Sequence, residues 1–200
     1  MKIGFIGAGN IAQAVGTQLA AVGHDVTISN SRGGDTLAAL AAPLSLTAGT
    51  VAQAADHEVV FLAVPWGKVP AALDAAGDLT DRILVDTTNP LEAPTFTKAD
   101  LGGLTSSEVI ANLAPTAQVI KAFNHMTPES YADGPVVSGG RKLLFHSSDH
   151  PDAHTVIAAL IESLDYTPIN LGTLAGGGAL HEFPGGPLPA RTFIEYIPTS

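Results

Sequence analysis

The stretch "GFIGAGNIAQAV" (residues 4–15) carries the pattern G-x-G-x-x-A at Gly7, Gly9 and Ala12. A glycine triplet alone is common, but this one follows an apolar run at 2–6 and opens an Ala-rich segment at 10–22, which Gly23 stops. A strand ending where the glycines begin, with a helix starting where they finish, is the setting a dinucleotide fingerprint requires. Gly7 permits the tight turn, Gly9 lets a pyrophosphate approach the backbone, and Ala12 is small enough for the helix to pack close to the sheet. The first N–H groups of the helix, around Asn10 and Ile11, then face the phosphates with the favourable end of the helix dipole. The alternative is an ordinary strand-to-helix turn of a flavodoxin-like protein that holds no nucleotide.

Outward from this turn, apolar runs and helical patterns alternate. Strands are expected at 25–29, 58–64, 82–88 and 118–123, and helices near 35–42, 67–76 and 106–114. The rhythm continues with a strand at 142–147, a helix at 152–164 and a short strand at 167–171. Strands apolar on both faces, separated by helices, imply a Rossmann-type, doubly wound α/β fold whose mostly parallel sheet is covered on both sides. Residues 171–200 are rich in Gly and Pro and read as a C-terminal extension of a single domain spanning 1–200. That extension is assigned to an acceptor mouth or a dimer contact, the alternative being a mobile tail.

A net charge of −10 argues against nucleic acid and anionic membranes, both of which recruit Lys and Arg. An anionic ligand must therefore be held by local groups. The absence of cysteine removes disulfides, thiolate metal sites and a Cys nucleophile. The N-terminus lacks the apolar length of a signal peptide and no stretch approaches a membrane span, so the expected location is the cytoplasm.

The loop "ISNSRGG" (residues 28–34) identifies which dinucleotide is expected. Where NAD-binding chains place an Asp or Glu against the ribose 2′-hydroxyl, this chain has Ser29, Asn30, Ser31 and Arg32. Hydroxyl, amide and guanidinium donors suit a 2′-phosphate carrying about −1.5 to −2 charges. Two charge-assisted hydrogen bonds would favour the phosphorylated cofactor by about a hundredfold or more. The cofactor expected is NADP(H); the alternative has Ser31 capping the next helix and Arg32 in solvent.

Two later loops should line the same crevice. Val64, Pro65 and Trp66 follow the strand at 58–64, where an apolar wall would border the nicotinamide side, or Trp66 is simply a packing residue. Asn89, in "VDTTNPL" (85–91), would hold a ribose or carboxamide unless Asn-Pro is only a turn. His125 is the candidate catalytic residue, as an acceptor contact or proton donor, with a structural histidine as the alternative. His146, His150 and His154 recur at four-residue spacing, but a strand, a proline and a helix intervene, so no metal is expected.

Taken together, "IGFIGAGNIAQAV", "SNSR", "AVPW", "VDTTNPL", "KAFNHM" and "HSSDHPDAHTVIAALIESL" resemble the NADPH-dependent coenzyme F420 reductases (F420-dependent NADP oxidoreductases). The same segments are similar to the related NADPH-binding domain of STEAP-type metalloreductases. The resemblance implies hydride transfer between NADP(H) and a deazaflavin such as F420, or a flavin. It places the pyrophosphate on Gly7, Gly9, Asn10 and Ile11, and the 2′-phosphate on Ser29, Asn30, Ser31 and Arg32. Val64, Pro65 and Trp66 would flank ribose and nicotinamide, and Ala122, Phe123 and Asn124 would bind at the nicotinamide end of the cofactor, beside the acceptor. Ser147, Ser148 and Asp149 depart from the Gly-Asp-Asp usual there.

Such a reaction requires positioning and exclusion of water rather than a nucleophile or metal. The expected partner is a small-molecule redox acceptor, and the expected assembly a homodimer. Two competing functions are a reductase of small quinones, imines or ketones and an NADPH-binding sensor without turnover. "ADGPVVSGG" (132–140) echoes the substrate segment of β-hydroxyacid dehydrogenases, but the chain after it is too short for their helical domain.

Overall fold

The computed structural model describes residues 1–137 and 139–196. Ser138 and the last four residues of the expected extension lie outside the described residues. In chain order the elements are β1 (Lys2–Ile6), α1 (Asn10–Ala21), β2 (Asp25–Ser29), α2 (Ala38–Ala41), β3 (Thr47–Gly49), α3 (Val51–Ala55), β4 (Val59–Leu62) and α4 (Val69–Ala76). Then come β5 (Ile83–Asp86), β6 (Leu91–Glu92), β7 (Thr97–Lys98), α5 (Ser106–Leu113), β8 (Gln118–Ala122), α6 (Pro128–Ala132) and β9 (Val136–Val137). Last are β10 (Gly140–Ser148), α7 (Pro151–Ser163), β11 (Thr167–Asn170), α8 (Gly176–His181) and β12 (Ile194–Tyr196).

The main sheet runs β11-β10-β8-β5-β4-β1-β2-β3. In that sheet β3, β2, β1, β4, β5 and β8 are parallel, β10 turns antiparallel against β8, and β11 pairs parallel with β10. The strand order reverses beside β1, which creates the crevice where open α/β sheets hold ligands. Register sets the strand ends side by side: Ile6 opposite Leu62, Leu62 opposite Asp86, and Asp86 opposite Lys121.

Alternation along the strands builds two apolar layers. Ile3, Phe5, Val59, Phe61 and Val85 face α1 and α7, meeting Ala12, Val15, Leu19, Ile157 and Leu160. Ile6, Val60, Leu62 and Leu84 face the other way onto Val69 and Leu73 of α4 and Ile110 of α5. A fully buried side chain of this size contributes roughly 1.5–3 kcal/mol, so both layers are needed to hold the sheet. Helix starts are written locally: Thr50 with Gln53, and Thr105 with Glu108, form reciprocal capping boxes on α3 and α5. No helix among the described residues is long and apolar enough to cross a membrane.

The Gly-rich part of the C-terminal extension is packed. A Cβ on Gly177 would lie 2.3 Å from the Leu171 carbonyl oxygen and 2.5 Å from Ser147 Oγ, so α8 rests directly on β10. The mobile-tail alternative does not describe residues 176–190, which are hydrogen-bonded into the strand ends as set out below.

Candidate functional site

Gly7 leaves β1 with φ +125°, and a Cβ there would lie 2.1 Å from the carbonyl oxygen of Ala63. Its N–H donates to the Ser29 carbonyl at 3.0 Å, which ties the turn to the end of β2. Gly9 caps α1 with an ordinary backbone, φ −75°, and a Cβ on it would meet nothing within 4 Å. No side chain caps this helix and no acidic residue sits in its first turn. The leading N–H groups at Asn10 and Ile11 therefore have no intrahelical acceptor. With no acidic residue in its own first turn, the helix terminus suits a phosphate.

Beside this turn is a cleft of about 310 Å³, lined by Gly7, Gly9, Asn30, Ser31, Val64 and Pro65. Its far wall is α4, presenting Ala71, Ala72 and Ala75, with Lys68 at the rim. None of the lining residues is a carboxylate. The open side of Gly9, the uncapped helix and the small residues of α4 together fit a dinucleotide. Gly7, Gly9, Asn10 and Ile11 would hold its pyrophosphate, and the loop after β2 its adenosine side.

That loop differs in detail from the sequence expectation. Ser29 is fully buried, and its hydroxyl donates to the Phe5 carbonyl at 2.8 Å. It presents no free hydroxyl to the cleft, because the last residue of β2 still alternates into the sheet. The Asn30 side chain is used to shape the loop: Oδ1 accepts from the Arg32 N–H at 2.8 Å and Nδ2 donates to Thr36 Oγ1 at 3.0 Å. Ser31 and Arg32 are exposed, and Ser31 does not cap the following helical turn, whose N-cap is Gly33.

Val64 and Pro65 line the cleft, and Trp66 does not. It is half-buried against the α4 layer and borders a neighbouring groove with Leu91, Glu92 and Ala93. The chain turns at Pro65 into a 3-10 turn over Trp66–Lys68, which swings the indole away from the strand end.

The remaining expected site residues converge on the ends of β5 and β8 but are largely occupied. Ala122 and Phe123 are fully buried, and the Phe123 ring packs on Phe61 at 5.3 Å within the core. Asn89 donates to the Asn124 carbonyl at 3.0 Å, and its Oδ1 accepts from Asn124 Nδ2 at 3.1 Å and from the Phe183 N–H at 2.9 Å. Asn124 Nδ2 also donates to the His181 carbonyl. Thus both asparagines fasten the segment after α8 onto the strand ends, and of their amide atoms Asn124 Oδ1 is buried without a partner.

The structure buries His125. Its ring is 2 % exposed and lies 4.8 Å from that of Phe145, while its carbonyl accepts from Ala190 N–H at 3.0 Å. Burial pulls its pKa down to about 4, with the Leu143 backbone working weakly the other way. At neutral pH the imidazole is uncharged and has no acidic proton to give. His146 and His154 do meet, Nδ1 to Nδ1 at 2.8 Å, although one is on β10 and the other on α7. Among the described residues no group of three or more His, Cys, Asp or Glu is placed to hold a metal ion.

A polar clamp beneath the strand ends escaped the sequence reading. Lys121 and Asp86, both fully buried, pair at 3.1 Å. Lys121 Nζ also donates to the Thr88 carbonyl at 3.1 Å and to Ser106 Oγ at 3.0 Å. Asp86 accepts from Ser107 Oγ at 2.6 Å, Thr88 N–H at 2.8 Å and Thr88 Oγ1 at 2.7 Å. Glu182, 3 % exposed, accepts from the Ser106 N–H at 2.6 Å and pairs with Lys98 at 2.8 Å. These contacts join β5, β8, the start of α5, the β6–β7 hairpin and the C-terminal segment into one support. The only hint in sequence was the pair of charges at matching register inside two apolar runs.

Comparison with known proteins agrees with this geometry. Residues 2–90 match the family model described as NADP oxidoreductase, coenzyme F420-dependent. Metalloreductase STEAP3 of Rattus norvegicus is 28 % identical over 189 residues, covering 94 % of this chain but only 37 % of that protein's length. The crystal structure of SMa0349 from Sinorhizobium meliloti is 35 % identical with a TM-score of 0.90, covering 98 % of this chain and 96 % of that one. A protein of Arthrobacter sp. FB24 assigned as an F420-dependent NADP-reductase is 31 % identical with a TM-score of 0.75, covering 87 % of this chain and 86 % of that one. The glycine turn, the carboxylate-free cleft and these relationships lead to one conclusion: this chain belongs to the family of coenzyme F420-dependent NADP oxidoreductases.

Proposed function

We propose that this protein is an NADPH-binding reductase that passes hydride to a deazaflavin such as F420 or to a flavin. The observation that carries the reading is the cleft beside Gly7 and Gly9, which is open at Gly9 and lined by no carboxylate at the place where the adenosine ribose would lie. When bound, NADPH supplies the hydride. The chain's own part is to hold the pyrophosphate on the uncapped α1 terminus and to receive the 2′-phosphate on Ser31 and Arg32. Val64 and Pro65 add an apolar wall that excludes water near the strand ends. The acceptor would enter beside the segment 181–190, whose Phe183 is 42 % exposed on a backbone held by Asn89. Proton delivery from His125 is not part of this mechanism, since the ring is buried and neutral. Function in the cytoplasm as a homodimer belongs to the same proposal, and sedimentation of the purified chain tests the subunit count.

One observation favours a sensor without turnover. Asn89, Asn124 and His125, at the ends of β5 and β8, all bond to residues 181–190, so the polar groups that make these bonds are engaged within the chain rather than toward an acceptor. Loss of absorbance at 340 nm decides between them, with F420, FMN, FAD, quinones and ferric chelates each offered as acceptor. Turnover with F420 or a flavin supports the reductase; turnover confined to quinones points to a small-molecule reductase, and none above background to the sensor. Arg32→Ala should weaken NADPH at least tenfold and NADH by less than twofold. Equal losses would remove the 2′-phosphate from that loop.

A further inference from the structure

The cleft has a single charged lining residue, and it is Lys68 rather than Arg32. Lys68 closes the 3-10 turn after β4, its N–H bonded to the Pro65 carbonyl at 2.8 Å. Val69, the next residue, is buried at 1 % exposure, and Pro70 follows, so the backbone at Lys68 is pinned to the α4 layer. The side chain itself is exposed, and among the described residues no carboxylate pairs with it. Ala71, Ala72 and Ala75 line the same wall, and Lys68 also borders the neighbouring groove of Trp66, Leu91 and Glu92.

The supply of phosphate donors on the opposite wall is thin. Of the four residues at 29–32, Ser29 and Asn30 have their side chains engaged within the protein. Ser31 and Arg32 remain, one neutral hydroxyl and one guanidinium, for a monoester carrying about −1.5 to −2 charges in a chain whose net charge is −10. The pyrophosphate needs no extra cation, because the α1 terminus already faces it with unpaired N–H groups and the positive end of a dipole.

We propose that Lys68 is a specificity-determining residue that contacts the adenosine 2′-phosphate from the α4 wall, opposite Arg32. This rests on reading the cleft as an NADP(H) site. A lysine contributes here as a point charge, so its effect should be salt-dependent and replaceable by arginine.

The test is titration calorimetry with 2′,5′-ADP, ADP-ribose, NADPH and NADH on the wild type, Lys68→Gln and Lys68→Arg, with melting curves to confirm folding. Lys68→Gln should weaken 2′,5′-ADP and NADPH by about tenfold and change ADP-ribose and NADH by less than twofold. Its loss of affinity between low and high salt should be shallower than the wild type's, and Lys68→Arg should recover most of the binding. Unchanged affinity in Lys68→Gln, or an equal loss for 2′,5′-ADP and ADP-ribose, overturns the assignment while leaving the NADP(H) reading intact. A wild type that binds NADH as tightly as NADPH overturns that reading first, and the Lys68 assignment with it.

Discussion

Gly7 and Gly9 stand two residues apart in one turn, yet their lack of a side chain serves different ends. At Gly7 the backbone is at φ +125° and a Cβ would strike the Ala63 carbonyl at 2.1 Å, so the protein itself demands glycine. At Gly9 the backbone is ordinary and a Cβ would meet no protein atom within 4 Å, so only a ligand could object. Gly7→Ala should therefore destabilise the fold by about 1–3 kcal/mol, which for a chain of this size lowers Tm by roughly 2–12 °C. Gly9→Ala should leave Tm within about 1 °C but weaken NADPH tenfold or more, since a methyl group would fill the space the phosphates need. Thermal melts with and without NADPH separate the two. A Gly9→Ala protein that binds NADPH like the wild type would show that the cofactor does not lie against this turn.

Between the strands, the clamp of Asp86 and Lys121 is the main polar investment in an apolar sheet. A buried pair of this kind has every lone pair and proton satisfied, so it holds β5 to β8 without leaving a bare charge. Removing one partner is costly for that reason. Lys121→Met should lower unfolding free energy by about 3–5 kcal/mol in urea titrations, whereas Lys121→Met with Asp86→Leu should lose clearly less. Equal losses in the two proteins would mean that packing rather than charge sets the cost. The clamp also shows what a one-dimensional pattern conveys. Apolar runs gave β1, β2 and the cores of β4, β5 and β8 at nearly their observed ends, because strands buried on both faces have no choice of composition. The β6–β7 hairpin was invisible, being two residues on each side with Leu91 its one apolar member. Helix α8 was hidden because Gly176, Gly177 and Gly178 read as helix breakers, although Gly177 is required by the close approach to Leu171 and Ser147. In the site, the glycine turn and the loop after β2 were legible from residue type. The fate of each side chain was not: whether Ser29, Asn89 or His125 faces the cleft or the core depends on tertiary partners up to 94 residues away. Lys68 was passed over for the same reason, since one lysine in a helix-leading turn has no pattern of its own.

For the molecule as a whole, the histidines set how it responds to acid. His125 and His146 are held near 4, in each case chiefly by burial and for His146 also by the adjacent His154. His181 is pulled well below its ordinary value by burial, then by Lys121, His125 and His146. An unfolded histidine titrates near 6.5. Above that pH both states are neutral and these groups give stability no slope. Between about 6.5 and 4 the unfolded chain binds protons that the folded chain refuses, so unfolding free energy falls as pH falls. A histidine held as low as His125 forfeits on the order of 3 kcal/mol by pH 4. The opposing effect is relief of self-repulsion in a chain of net charge −10, but most carboxylates protonate only near pH 4, so the histidines act first. The urea midpoint should therefore decline from about pH 6.5 downward, and His125→Phe, which keeps a ring against Phe145, should flatten that decline. The buried-histidine account fails if the wild-type midpoint is constant from pH 7 to pH 5. It fails equally if His125→Phe leaves the slope untouched, since the proton uptake would then belong to other groups.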